Sequence, residues 1–248
     1  MKRLGIIDWG IGGISIYKLI KQNLGDTSVT YFSDTGVTPY GKMDRRELSD
    51  RLDTVVEYLI DKGVTHVVIG CNAASTALSE LRDHKIPIEG VIKPAVAMAV
   101  KLKPKKLAVI GGRRTVVSGV YRRAFQEDNI VVEQRIAQPL SGLIEKGDIS
   151  SPELIAAAKQ ILEPIKNSSH ILLACTHYPA ITAILQSLVS LQTQFIDPAS
   201  EMVKIVSNWK IDQNGGDIFV TTGDAKAMKR NAKLAFGVTI EKVSSVGI

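Results

Sequence analysis

Two segments of one plan, far apart in the chain, constrain the fold most. Val67-Val68-Ile69-Gly70-Cys71-Asn72-Ala73 and Ile171-Leu172-Leu173-Ala174-Cys175-Thr176-His177 each run from an apolar stretch through a small residue into cysteine and then polar residues. Runs this uniformly apolar suit strands buried on both faces, as parallel strands lying under helices are. Each cysteine then falls where a strand meets its following loop, the place where open α/β sheets hold their ligands. These are the only two cysteines in the sequence.

The rest of the chain supports that reading. Residues 4–8 form a first apolar strand, followed by the turn Trp9-Gly10-Ile11-Gly12-Gly13 and a helical pattern over 14–23. That turn suits an anion at a helix start, but it is not G-x-G-x-x-G, and a dinucleotide site is a weak reading of it. A second strand over 28–33 leads into the polar loop 34–42, and 44–62 has one apolar face at helical spacing. The pattern predicts the strand over 64–70, a helix from Cys71 to about 84, a strand over 86–92 and a helix starting at 93–95. It then restarts with a strand over 106–112, a helix over 115–125, a strand over 129–135, a loop or short helix over 138–147 and a helix over 151–166 capped by Ser151-Pro152. Beyond the Cys175 strand, after residues 195–199, come a helix to about 209, a strand over 217–221 and a helix over 225–236. Alternation of this kind specifies parallel sheets with right-handed crossovers. Two similar α/β halves are expected, each with one strand–cysteine unit, with the tail returning to complete the first.

A chain of 248 residues buries enough surface to need no disulfide or metal staple. Its amino terminus enters a strand directly, without a signal-peptide pattern, and no apolar run reaches the roughly 20 residues that span a bilayer. With two cysteines only, a reducing cytoplasm is expected. The net charge is +6, but the basic residues alternate with acids, apart from the runs at 101–106 and 113–114, and aromatics are only 5%. A solvated basic face that attracts small anions fits better than a nucleic-acid surface. The cysteines match no zinc spacing, and His66, His84 and His170 are isolated and expected at the surface or at strand ends, so no metal is expected. Trp209 is expected to pack. A homodimer is the default assembly.

A cysteine alone in such a place is most often a small buried apolar residue. Two at matched strand ends, facing one cleft, permit more. A helix amino terminus would stabilise each thiolate, and thiols on opposite sides of a carbon would let one remove a proton while the other returns one to the opposite face. The product is the mirror-image centre, formed without metal or cofactor. Asn72 and Thr176 are placed to bond a carboxylate, and His177 to exchange a proton with Cys175. Asp8, at its own strand's end, serves Cys71, holds an ammonium group or acts as a loop cap.

The ordered motifs resemble the glutamate racemase family, within the aspartate/glutamate racemase superfamily. They include Gly5-Ile6-Ile7-Asp8 with Gly10-Ile11-Gly12-Gly13, Tyr31-Phe32-Ser33-Asp34-Thr35 with Pro39-Tyr40-Gly41, and Cys71-Asn72. Gly90-Val91-Ile92, Ser118-Gly119-Val120-Tyr121, Cys175-Thr176-His177-Tyr178-Pro179, Ile196-Asp197-Pro198 and Thr221-Thr222-Gly223-Asp224 continue the match. The resemblance implies two doubly wound, flavodoxin-like parallel-sheet domains related by pseudo-symmetry, 1–95 with 202–248 and 96–201, and an active site between them. It also implies a cofactor-independent cytoplasmic racemase that supplies cell-wall peptidoglycan. Carried over by motif, Cys71 and Cys175 are the acid/base pair, Asp8, Glu145 and His177 support them, and Pro39, Tyr40, Gly41, Asn72 and Thr176 belong to the substrate-binding set.

The chain departs from the family at two positions of that set. Trp9 stands where the family has serine, and Ala73 where it has threonine. Each lost hydroxyl removes a bond to a charged group, worth roughly 1.5–3 kcal/mol, and the indole adds bulk. Three readings follow, in this order: glutamate racemisation with binding rearranged around Trp9, a cofactor-free enzyme of the superfamily acting on another small acid, and a relative that only binds a metabolite or protein.

Overall fold

The computed structural model describes residues 1–104 and 106–248; Lys105, inside the basic run at 101–106, lies outside the described residues. β1 (Leu4–Asp8) leads through the glycine-rich turn into α1 (Ile14–Leu24). β2 (Val29–Ser33), α2 (Arg45–Asp61), β3 (His66–Ile69), the four-residue α3 (Asn72–Ser75), β4 (Ile88–Gly90) and α4 (Ile92–Lys101) follow. The pattern restarts with β5 (Lys106–Gly111), α5 (Arg113–Val117), α6 (Val120–Gln126), β6 (Val131–Ile136), α7 (Gln138–Glu145) and α8 (Pro152–Leu162). Then come β7 (His170–Ala174), α9 (Thr182–Ser187), β8 (Gln194–Ile196), α10 (Ala199–Trp209), β9 (Ile218–Thr221), α11 (Ala225–Phe236) and β10 (Ser244–Ser245).

The strands form two parallel sheets, in the orders β10-β9-β2-β1-β3-β4 and β6-β5-β7-β8. The segments β2-β1-β3-β4 and β6-β5-β7-β8 are the same doubly wound order, so β3 and β7 occupy equivalent positions. That equivalence brings Cys71 and Cys175 to matching strand ends. Burial explains the apolar runs. Leu4 and Ile6, two residues apart, enter one core while Ile7, the next residue along, enters another, the two-residue period of a strand covered on both faces. The first of these cores is shared by both sheets, since Ala108, Ile110, Ile171 and Leu173 join it.

Local chemistry sets the helix ends. Asp44 and Glu47 form a reciprocal capping box on α2, Ser151 caps α8 ahead of Pro152, and Asp224 accepts from the N–H groups of Lys226 and Ala227 at the start of α11. Three expectations need correction. The helix expected from Cys71 to about 84 is only α3 and a single 3₁₀ turn at Leu78–Glu80. The helix expected over 115–125 is broken at Gly119, whose φ of 68° lies in the left-handed region, into α5 and α6. His84 is not a surface residue, because its ring is buried against Asp53 at 2.6 Å. His66 and Trp209 pack with their rings tilted by 39° and the centroids 5.2 Å apart.

Candidate active site

The carboxyl ends of both sheets border one cavity of about 230 Å³. β1 contributes Asp8 and then Trp9, β3 contributes Cys71, Asn72 and Ala73, and β7 contributes Cys175, Thr176 and His177. The loop after β2 adds Pro39, Tyr40 and Gly41. Every expected site residue except Glu145 therefore lines this cavity, and Glu145 stands directly behind it. Its carboxylate is 2.6 Å from His177 Nε2, and His177 Nδ1 lies 3.6 Å from Cys175 Sγ.

The glycine-rich turn makes that arrangement possible. A Cβ at Gly10 would overlap the Glu145 carboxylate, and one at Gly12 would lie 2.5 Å from Thr176 Oγ1 and 2.7 Å from His177 Nδ1. The backbone N–H of Ile11 donates to Glu145 Oε2 at 2.9 Å. The anion expected at this turn is thus the protein's own carboxylate, delivered by α7. The same close approach joins the two halves of the site.

Burial sets the charge states. Asp8 is almost wholly buried, which pushes its carboxyl up, against the opposing pull of His177 and of the Thr176 hydroxyl that donates to Asp8 Oδ2 at 2.8 Å. Asp8 Oδ1 has no hydrogen-bond partner. Burial also pushes the Cys71 thiol well up, with the Asp8 charge adding to it, although the N–H groups of Ala74 and Ala73 oppose the shift. The expected helix-dipole activation of both thiols needs correction on this point. α3 has one turn, and a 3₁₀ turn at Tyr178–Ile181 follows the Cys175 segment, so neither thiol faces the start of a long helix. On the other side, burial disfavours charge on His177, but its contacts with Cys175 and Glu145 outweigh this and raise its pKa well above the usual value. A proton is therefore held between Cys175 and Glu145, while Cys71 rests as a thiol.

The expected binding groups are partly committed already. The Thr176 hydroxyl already donates its hydrogen bond to Asp8, and the Tyr40 hydroxyl donates to Asp34 at 2.7 Å rather than facing the cavity. Asn72 accepts from Tyr121 at 2.7 Å through Oδ1, which leaves its amide N–H groups for a ligand. The Trp9 indole N–H donates to the Val37 carbonyl at 3.2 Å, fixing the loop after β2 against the cavity.

Sequence reasoning missed Lys42, Gly112, Thr115, Gln138 and Ser141, which also line the cavity. Gln138 accepts from the Arg113 backbone N–H and donates to Ser141 Oγ. The signal for Thr115 and Gln138 was positional, since they follow β5 and β6 at the same sheet edge that carries the cysteines. Among the described residues no group of three histidine, cysteine or acidic side chains is arranged to hold a metal, and no helix is long and apolar enough to cross a membrane.

Residues 4–206 match the Asp/Glu/Hydantoin racemase family model. The chain belongs to that racemase family. Its relatives include the glutamate racemase of Carboxydothermus hydrogenoformans, 31% identical over 99% of this chain and 96% of that protein. Another is the glutamate racemase of Trichodesmium erythraeum, 34% identical over 83% of this chain and 78% of that protein. Among solved structures, a glutamate racemase isoform of Bacillus anthracis superposes with a TM-score of 0.90 at 26% identity, covering 100% of this chain and 98% of that one. The glutamate racemase of Thermus thermophilus, in complex with beta-chloro-D-alanine, gives 0.86 at 26% identity, covering 100% and 97%. The two-domain flavodoxin-like fold of the family is the fold of this chain.

Proposed function

We propose that the protein interconverts L- and D-glutamate without a cofactor, in the cytoplasm, with Cys71 and Cys175 as the two acid/base residues. The observation that carries this reading is that thiols at two equivalent strand ends line a single cavity. In this account an amino acid lies between them with its α-carbon exposed to a sulfur on each side. One thiolate removes the α-proton while the opposing thiol delivers its own proton to the other face. In one direction Cys71, held as a thiol by burial, is the donor, and Cys175 is the base, its proton passing to the His177–Glu145 pair. In the reverse direction the roles exchange, and Asp8 takes the proton of Cys71.

The remaining groups bind. The Asn72 amide, the backbone at Gly41 and Ala73, and the hydroxyl of Thr115 are donors for carboxylate oxygens, and Lys42 adds a positive charge at the mouth. Asp8 Oδ1, buried and unpartnered, is an acceptor for the substrate ammonium. Pro39, Tyr40 and Trp9 shape the wall. The lobes of this account are 1–95 with 202–248 and 96–201, divided within α4 and α10, and the assembly is a homodimer, which light scattering on the purified protein tests.

A second reading rests on Trp9 and Ala73. An indole in the cavity wall and a missing hydroxyl favour a small acid other than glutamate. Circular dichroism of L- and D-glutamate, and then of a panel of other amino acids, incubated with the purified protein separates the two. Loss of optical activity from glutamate supports the first reading, inversion of another acid alone selects the second, and silence across the panel overturns both.

A further inference from the structure

A second cleft, of about 400 Å³, opens beside the catalytic cavity and shares Gly41 with it. Both halves of the chain supply its walls. Arg45 at the start of α2 and Thr76 just beyond α3 lie on one side, and Arg113, Arg114 and Arg123 of α5 and α6 on the other. Arg45 pairs with Glu80. Among the described residues the other three guanidinium groups make no ion pair with a carboxylate. Arg114 donates to Thr76 Oγ1 at 2.9 Å and to the Met43 carbonyl at 2.6 Å, and so ties α5 to the other half of the chain; Arg123 donates to the Ser118 carbonyl at 2.8 Å.

Guanidinium groups crowded together repel, and Glu80 and Asp44 only partly offset that repulsion at Arg114, which is also partly buried. Its burial and the nearby charge of Arg45 both weaken its hold on its proton. The backbone nevertheless favours the cluster. Gly119, in its left-handed conformation, leaves open the space into which the Arg123 guanidinium folds, 3.1 Å from where a Cβ would stand. All four arginines line one concavity, of the size that takes small molecules.

We propose that this cleft is a binding site for a phosphorylated small molecule, its phosphoryl oxygens held by Arg45, Arg113, Arg114 and Arg123. Guanidinium forks match the several oxygens of a phosphoryl group two at a time, whereas one carboxylate would satisfy a single fork and leave the others unpaired. The site is separate from the catalytic cavity and does not depend on which amino acid the protein inverts.

The test is calorimetric titration of inorganic pyrophosphate into the full chain at fixed chloride concentration. The wild type is expected to bind one pyrophosphate per chain, and R113Q/R123Q to bind at least about tenfold more weakly, the scale of one charge-assisted bond. R123Q alone, changed at an exposed position, supplies the same comparison if the double variant loses its native circular dichroism. His177→Gln, altered in the catalytic cavity, is expected to bind pyrophosphate as the wild type does. No saturable binding, equal binding by R123Q and the wild type, citrate binding as tightly as pyrophosphate, or loss of binding in His177→Gln would each overturn the proposal.

Discussion

Thr176 donates its hydroxyl proton to Asp8 Oδ2 at 2.8 Å, joining the end of β7 to the end of β1 across the catalytic cavity. The bond stabilises a carboxylate that burial otherwise penalises. Because burial raises the folded pKa of Asp8 above 3.8, the folded state holds its proton more tightly than the unfolded chain, and this residue's contribution to stability falls as pH rises from about 3.8 through the folded pKa. Asp8→Asn removes that penalty. Urea melts at neutral pH are expected to show stability equal to or above wild type, while circular dichroism shows racemisation lowered by about 10²–10⁴-fold. A variant with normal turnover would remove Asp8 from the mechanism.

The His177–Glu145 pair has the opposite sign. A histidine whose folded pKa is raised contributes stability that is fully present below about pH 6.5 and is lost as pH rises through its folded pKa. The stability difference between wild type and His177→Gln is therefore expected to be largest below pH 6.5 and to narrow above it, by urea melts across a pH series. A difference that widens with pH would contradict the charge state assigned to His177. Glu145→Gln should weaken the same pH dependence and slow racemisation.

Gly12→Ala tests the close approach of the two halves. Its Cβ would lie 2.5 Å from Thr176 Oγ1. Displacing that side chain is expected to cost about 1–3 kcal/mol and to break the contact with Asp8. A thermal melt and an activity assay read the two effects, and wild-type values in both would show that the turn accommodates side chains.

The two departures from the family also make a prediction. Trp9→Ser with Ala73→Thr is expected to raise kcat/KM for glutamate by about 10–100-fold, as one recovered charge-assisted bond would. Since Trp9 also fixes the loop at Val37, Ala73→Thr alone is the cleaner probe. An unchanged or lower rate would show that the binding groups are rebuilt elsewhere.

Most of the fold was legible because buried parallel strands leave long apolar runs, and the paired cysteines lay at the ends of two of them. What was missed had no local signature. The two-residue β10 is defined only by pairing with β9, and the helix after Cys71 stops within one turn although its sequence continues a helical pattern. Glu145 followed only from family resemblance. Nothing near it in sequence marks it, because its role arises where α7 meets the turn after β1. Lys42, Thr115, Gln138 and Ser141 are ordinary polar residues whose meaning comes from the sheet edge they border. The direction of the Cys71 shift was also not legible, since burial and the shortness of α3 outweigh the motif.

The central claim is that two thiols act from opposite faces of one carbon, and isotope exchange tests it most directly. The protein is incubated in D₂O with one enantiomer of its amino acid, and the α-position of both enantiomers is read by mass spectrometry at low conversion. The account predicts that the product enantiomer carries solvent deuterium while the unreacted enantiomer keeps its protium. Product that retains the substrate's own α-proton would mean that a single base shuttles one proton, and would contradict it.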